Sequence, residues 1–346
     1  MDSPLVSVLV PCYNAECWLV EALESILAQT LHNFEIIAVD DGSSDGTLRI
    51  IEKFATMDSR VRVLRHTTNL GIVAALNNAV SISKGSYIAR MDADDIAKPD
   101  RLALQLDYLE RNNIDICGTC IREFGGGPAR ILRLPETYNS IHTALLFYNP
   151  MIHPTLFGKR EMFDRFPYRE DFNLSEDYDL LARASPHFKL ANIPLVLLDY
   201  RRHPAQATMA RMLEMDRVAR QIRDDLLCSR GIQANDTERE LHHSIREHKS
   251  INSLDRLLAV EGWLLKLYGL MDGQEAKTMV ASQWLRACVR SAPLGIKMWR
   301  TFLASPLLQK FPNSPLDSFN LLILAILRLE YRGKAFDILR RFGLSS

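Results

Sequence analysis

Four short apolar, β-branched runs, each followed by a segment of helical or acidic character, fill the first 95 residues and leave few folds open. The runs lie at residues 5–10, 34–39, 61–64 and 86–91. Runs of valine, isoleucine and leucine without polar alternation suit strands buried on both faces. Between them, residues 15–29, 47–55 and 71–83 carry the spacing of helices. Strand and helix in alternation predict a parallel, doubly wound α/β sheet with helices on both faces. Ligands in such sheets bind beyond the carboxyl ends of the strands. The polar residues of this region fall at those ends: Tyr13 and Asn14, then residues 40–45, then Asn69, then residues 92–95. Segments distant in sequence are therefore expected to converge on one crevice.

The alternation continues less regularly. A helix is expected from Pro99 to about residue 112, a strand at 114–120, a glycine-rich turn at 125–128 and a helix at 140–147. Residues 153–158 and 195–200 read as further strands. Beyond Pro204 the chain changes to long amphipathic helical patterns broken at Pro293, Pro306, Pro312 and Pro315. Two domains are expected, 1–207 and a helical 208–346.

Composition excludes several classes. The 346 residues are 47% hydrophobic and 24% charged, enough for a large core and against global disorder. Net charge is zero, which argues against a nucleic-acid partner. From residue 281 onward, however, ten basic residues face three acidic ones. No signal peptide or spanning segment is expected: Asp2 stands where a basic region would, and the longest apolar run is 321–327. The expected location is cytoplasmic, with a peripheral place at the inner face of the membrane as the alternative for the basic helices. The other readings of those helices, which carry Trp284, Trp299 and Phe302, are plain packing or a homodimer contact. Six scattered cysteines fit a reduced chain, and Cys117-Gly118-Thr119-Cys120 lacks the second pair a zinc site needs. The first strand leads to Pro11-Cys12-Tyr13-Asn14, not GxGxxG, and no GxxxxGK[ST] occurs, which excludes the common dinucleotide and P-loop binders.

Four acidic or basic groups carry chemistry. Asp92, Asp94 and Asp95 follow a buried strand, and clustered carboxylates persist when solvated or when a cation neutralises them. A hard divalent ion uses such oxygens and completes its shell with phosphate oxygens and water. The plain alternative is a helix cap before Pro99. Asp40-Asp41-Gly42-Ser43 places an acid where nucleotide binders hold a base or ribose, or else forms a capping turn. Ser175-Glu176-Asp177-Tyr178-Asp179 offers Asp177 or Glu176 as a general base, or else opens a helix, with Asp179 expected to cap or face solvent. Tyr200-Arg201-Arg202-His203 offers a histidine ligand and a guanidinium for a diphosphate, or is a basic turn. His153, between Pro150 and Pro154, reads as a strand-end histidine or an acceptor contact.

In order along residues 6–203, VSVLVPCYNA, FEIIAVDDGSSDGT, NLGIVAALNNA, GSYIARMDADDIAKPDRL, NPMIHPT, SEDYDLLAR and YRRH together resemble glycosyltransferase family 2. The resemblance implies a GT-A fold, a Rossmann-like doubly wound mixed sheet, followed here by a mainly helical C-terminal region. It implies an inverting transferase using a nucleotide-sugar donor, commonly a UDP-sugar, and Mn2+ or Mg2+. The sugar would be a hexose or N-acetylhexosamine, and the acceptor a saccharide or lipid-linked saccharide of a surface polysaccharide or lipopolysaccharide. By the family's pattern Pro11, Tyr13 and Asn14 line the nucleobase pocket and Asp41 contacts base or ribose. Asp94 binds the metal, Asp92 the metal or ribose, and Asp95 stands in reserve. His203 completes the metal shell, and Asp177 is the base with Glu176 the alternative; in the mechanism expected from these residues, Arg201 or Arg202 assists at the diphosphate. The QxxRW string of processive synthases is missing, which implies a single addition. The competing class is a non-catalytic nucleotide-sugar or carbohydrate-binding module on the same fold.

Overall fold

The computed structural model describes residues 3–203, 211–247 and 250–331. It begins with β1 (Val6–Cys12), α1 (Leu19–Leu27), β2 (Phe34–Asp41), α2 (Thr47–Met57), β3 (Val61–His66), α3 (Ile72–Ile82) and β4 (Tyr87–Arg90). Every residue of β2 is buried, as a strand covered on both faces requires. Helix α1 supplies part of the cover through Leu19, Ala22, Leu23 and Ile26, which share one helical face. The chain continues through β5 (Ile96–Ala97), α4 (Arg101–Asn112), β6 (Ile116–Phe124), β7 (Arg130–Leu132) and α5 (Tyr138–Ala144). Then come β8 (Phe157–Lys159), α6 (Arg160–Arg165), α7 (Glu176–Ala184) and β9 (Leu190–Arg201).

The strand order is β3-β2-β1-β4-β8-β6-β9-β5, with β7 paired to β6. The first four strands are mutually parallel. Strand β8 is antiparallel to both β4 and β6, and β6 runs parallel to β9. The sheet is therefore mixed, as in the GT-A fold, and not wholly parallel as the apolar runs alone predict. The exceptions are the short strands β5, β7 and β8, of two, three and three residues, too brief to carry a periodicity.

This topology assembles the site. Passing through one antiparallel strand restores the direction, so β6 and β9 point the same way as β4. The carboxyl end of β9 thus lies at the same sheet edge as those of β1, β2 and β4. The segment entering β8 also begins at that edge, because β8 runs the other way. His153 sits in this entry, and here the structure corrects the expectation of a strand over 153–158. Residues His153–Thr155 form a 3-10 turn. Pro154 has the φ such a turn wants and no N–H to give a ladder.

Two compact units result. One comprises Met1–Ile141 with Asn149–Arg211, and the other His142–Tyr148 with Met212–Ser346. The short segment His142–Tyr148 belonging to the second unit is a feature the sequence pattern did not suggest. The second unit contains α8 (Met212–Ser229), α9 (Asp236–Ser244), α10 (Leu254–Leu270), α11 (Gln274–Arg290), α12 (Ile296–Ala304) and α13 (Pro315–Leu327). Its core includes Trp263, Leu267, Trp284, Met298 and Phe302. His242 ties the inserted segment to the helices: its Nε2 donates to the Leu146 carbonyl at 2.7 Å while Nδ1 accepts from the Trp263 indole at 3.1 Å. Asn235, part of a sequon-like triplet, caps α9 in a capping box with Glu238. Among the described residues no helix is long and apolar enough to cross a membrane. The segment 204–210, where the domain boundary is expected to begin, and the basic stretch 332–346 lie outside the described residues.

Candidate active site

The sheet edge is built from loops that clasp one another. After β1 the chain turns at Asn14, which takes the left-handed φ of 49° that asparagine tolerates. Its backbone N–H donates to Ser43 Oγ at 3.1 Å, and its side-chain oxygen accepts from the Ser44 N–H at 2.9 Å. Glu16 accepts from the Gly46 N–H at 2.6 Å, and Asp45 caps the start of α2 through the Thr47 N–H at 3.0 Å. Gly42 is required here: φ is +69°, and a Cβ would lie 2.5 Å from the Thr68 carbonyl carbon. Asn14 is thus a brace between the first two loops. Tyr13 beside it is 54% exposed, a ring free to lie against a flat ligand.

Asp41 is buried and engaged by protein donors. Its Oδ1 accepts from His66 Nδ1 at 2.7 Å and the Leu70 N–H at 2.9 Å, and its Oδ2 from the Gly71 N–H at 2.9 Å. The Asn78 amide donates to His66 Nε2 at 3.1 Å, which puts the imidazole hydrogen on Nδ1, facing Asp41. The carboxylate therefore shapes the loop leading into α3. Its neighbour Asp40 has a buried Oδ1 with no protein partner.

The acidic residues after β4 form the centre. One oxygen each of Asp92, Asp94 and Asp95 lie within 4.8 Å of one another. His203, delivered by the end of β9, brings Nε2 to 2.9 Å from Asp94 Oδ2. Asp95 is fully buried; its Oδ1 accepts from the Arg201 N–H at 2.9 Å, and its Oδ2 has no protein partner. Burial, together with Asp92 and Asp94, pushes the Asp95 carboxyl well above the ordinary range. Such a cluster, with a buried oxygen unanswered, fits a hard divalent cation held by carboxylates and one imidazole. Mn2+ and Mg2+ both suit this donor set.

Cations built into the fold lie beside the acids. Arg90, the last residue of β4, is buried and contacts Asp92 at 2.5 Å. Buried Arg101 donates to the Arg90 carbonyl at 2.6 Å. Burial lowers Arg101 to about 10, while burial of Arg90 is outweighed by Asp92 and other anionic groups, which raise it. Arg201, expected at the diphosphate, is held by neighbouring groups. Its Nε donates to the Asp94 carbonyl at 2.8 Å, its Nη2 meets Glu21, and its guanidinium lies between the rings of Trp18 and Phe124 at 4.5 and 4.6 Å. It braces the acidic loop from behind.

The second acidic group opens α7. Asp177 is half-buried; its Oδ2 accepts from the Asn149 amide at 2.8 Å and its Oδ1 from the Tyr178 N–H at 2.7 Å. Burial raises Asp177 to about 6, against the hydrogen bond from Tyr178 and the attraction of Arg90. Glu176 is buried and pushed up to about 7 by burial and by Asp177. Its Oε1 is 3.6 Å from His153 Nδ1, too long for a hydrogen bond, and its Oε2 has no protein partner. Burial, then Arg90, pushes His153 well down, so its nearness to Glu176 is not an ion pair. His153 Nε2 instead meets the Tyr168 hydroxyl at 3.1 Å, and Tyr168 is held through its backbone by Asn77. Asp179, expected to cap or face solvent, does not face solvent. It is buried and paired with Arg169 and, at 2.8 Å, with Arg183.

The structure thus brings Asp92, Asp94, Asp95 and His203 together. Arg90 contacts that cluster and also acts electrostatically on Glu176 and Asp177. Sequence reasoning overlooked Arg90, His66, Asn78 and Asn149. Arg90 alone left a signal, a basic residue ending an apolar run.

Comparison with known proteins agrees with this architecture. The model of the family described as "Glycosyl transferase family 2" matches residues 7–172. An uncharacterized glycosyltransferase of Haemophilus influenzae is 35% identical over 237 residues, covering 64% of this chain and 73% of the relative. The O-antigen biosynthesis glycosyltransferase WbnJ of Escherichia coli is 34% identical over 207 residues, covering 58% of this chain and 80% of the relative. In fold, the chain is similar to S. aureus TarS in complex with UDP-GlcNAc, with a TM-score of 0.57 at 17% identity over 94% of this chain and 93% of that one.

Proposed function

Because the chain belongs to glycosyltransferase family 2, we propose that it is an inverting, metal-dependent enzyme moving a single hexose or N-acetylhexosamine from a nucleotide-sugar onto a saccharide or lipid-linked saccharide acceptor. The setting proposed is surface-polysaccharide or O-antigen assembly, the role named for the relative WbnJ. The donor proposed is a UDP-sugar, and UDP-GlcNAc, bound by the fold neighbour TarS, is the first to try.

The observation that carries this reading is the meeting of Asp94 with His203 beside Asp92 and Asp95. Residues from two distant strands supply a ligand set that neither supplies alone. The bound ion would neutralise charge developing on the leaving nucleoside diphosphate. Asp92, Asp94 and His203 would hold it, with Asp95 as the buried reserve. Tyr13 would lie against the nucleobase, with Pro11 and the braced Asn14 and Asp41 forming the walls.

Asp177 is the base in this reading, because it is half-open whereas Glu176 is buried. The acceptor hydroxyl attacks the anomeric carbon, its proton passes to an Asp177 oxygen, and the bond from that carbon to the diphosphate oxygen breaks. The products are the glycosylated acceptor and the nucleoside diphosphate. A value near 6 leaves Asp177 mostly ionised at neutral pH yet basic enough to take a proton.

A donor screen with Mn2+ or Mg2+, read by nucleotide release, tests the proposal. Release from one nucleotide-sugar, abolished by chelation and restored by metal, is expected. Release indifferent to chelation would remove the metal from the reading. Calorimetric donor binding with neither hydrolysis nor transfer would favour a non-catalytic binding module.

A further inference from the structure

We propose that Asn149 is a positioning residue for Asp177, orienting the acid so that it presents its open lone pairs to the acceptor hydroxyl. The proposal rests on the assignment of Asp177 as the base.

The geometry comes from a small, rigid loop. The Asn149 side-chain oxygen accepts from the Met151 N–H at 3.1 Å, closing a turn around Pro150. With the oxygen occupied in this way, the amide nitrogen is the atom left to face Asp177, and it lies 2.8 Å from Oδ2. An amide nitrogen can only donate, so the contact favours the ionised carboxylate over the protonated acid. The loop itself is pinned. Asn192, fully buried in β9, donates to the carbonyls of Pro150 at 2.9 Å and Pro135 at 2.7 Å. Gly118 on β6 makes room for it, since a Cβ there would lie 2.4 Å from Asn192 Oδ1. Glycine between the two cysteines, chemically silent in the sequence, thus permits the packing that holds the loop.

From the other side, the Tyr178 N–H holds Asp177 Oδ1 at 2.7 Å. Each oxygen then has one fixed donor and a lone pair remaining. Two donors on one carboxylate define its plane, and a hydroxyl approaching it meets a set direction. The ionisable groups acting on Asp177 are Arg90 on β4, Asp92 after it, Glu176 on α7 and Tyr168 before that helix. None of these meets Asp177 in an ion pair or hydrogen bond, so among the described residues it is the Asn149 amide whose side chain donates to the acid.

Asn149→Asp tests this in the full-length chain. The substitution keeps the size and the oxygen that accepts from Met151, but turns the donor into an acceptor facing Asp177. Donor affinity by calorimetry should stay within about 2-fold, while kcat falls roughly 10- to 100-fold, as misplacement of a reacting group does. The acid limb of the kcat profile should move to higher pH by about one unit, because a hydrogen bond to the ionised form is replaced by a like charge. Asn149→Ala, which loses the donor without adding a charge, should lower kcat with a smaller shift of the limb. Asp177→Asn serves as the reference. If Asp177→Asn keeps normal turnover, the base assignment fails. If Asp177→Asn is impaired while Asn149→Asp retains both kcat and the limb, the positioning role alone is overturned.

Discussion

Asp92, Asp94 and Asp95 on one side, and Glu176 and Asp177 on the other, are acids gathered at one sheet edge, but their surroundings differ in kind. At the first group Arg90 makes direct contact with Asp92, and His203 with Asp94. At the second, Arg90 acts through space, and burial raises Glu176 to about 7 and Asp177 to about 6. Like charges can be kept together by adding positive charge or by adding a proton. Burial raises carboxyls in both groups, Asp95 as well as Glu176 and Asp177; what sets the first apart is a guanidinium and an imidazole in direct contact with its acids. In the proposed reading the first group would face the leaving diphosphate and the second the acceptor hydroxyl.

The largest expected effect sharpens the first group. Asp94→Ala should lower transfer on the order of 1,000-fold, the several kcal/mol that a positioned cation supplies. Nucleotide release across an Mn2+ titration checks this. Wild-type turnover at low metal would show that the cluster is not a metal site.

Next comes the second group. Asp177→Asn should cut kcat by roughly 100-fold or more with donor affinity nearly unchanged. In the unsubstituted chain kcat should fall as pH drops below about 6, because the base must be ionised to act. Asp177→Asn should abolish that limb. A limb near the ordinary aspartate value of about 4 would contradict the desolvated setting.

The smallest effect concerns stability. The folded chain holds the Glu176 proton up to about 7, whereas the unfolded chain releases it near an ordinary glutamate value of about 4.3. Between these values the native state binds more protons, so its stability falls as pH rises. Glu176→Gln should therefore raise the melting temperature by roughly 2–5 °C above pH 7. The gain should vanish below pH 4. An equal gain at all pH values would mean that the carboxyl does not titrate in this window.

Much of the fold was legible because apolar runs and helical spacing are local. Residues 5–10 and 34–39 contain most of β1 and β2, and α2 begins at Thr47 after the turn that Asp45 caps. The antiparallel direction of β8 and the turn at His153 were not, since three residues and a proline carry no period and no pairing partner. Within the site, the acidic strings marked where chemistry lies but not what each side chain meets. Asn14 and Asp41 look alike in sequence to residues that touch a ligand, yet both are engaged by neighbouring loops. Arg201 looks like an anion clamp, and only the fold shows that its guanidinium also lies against the rings of Trp18 and Phe124. Arg90 and Asn149 gained their places only from partners far along the chain.

By itself, the sequence determined an alternating α/β core, acids at the ends of buried strands, and membership of a recognisable family, because each of these is written in neighbouring residues. Tertiary structure alone decided that β9 returns parallel to β6 and carries His203 to Asp94. It likewise decided that Asp177 is half-open and Glu176 buried. Those outcomes depend on strand order and direction, which side-chain periodicity does not encode: a strand's pattern tells which face is apolar, not which strand lies beside it.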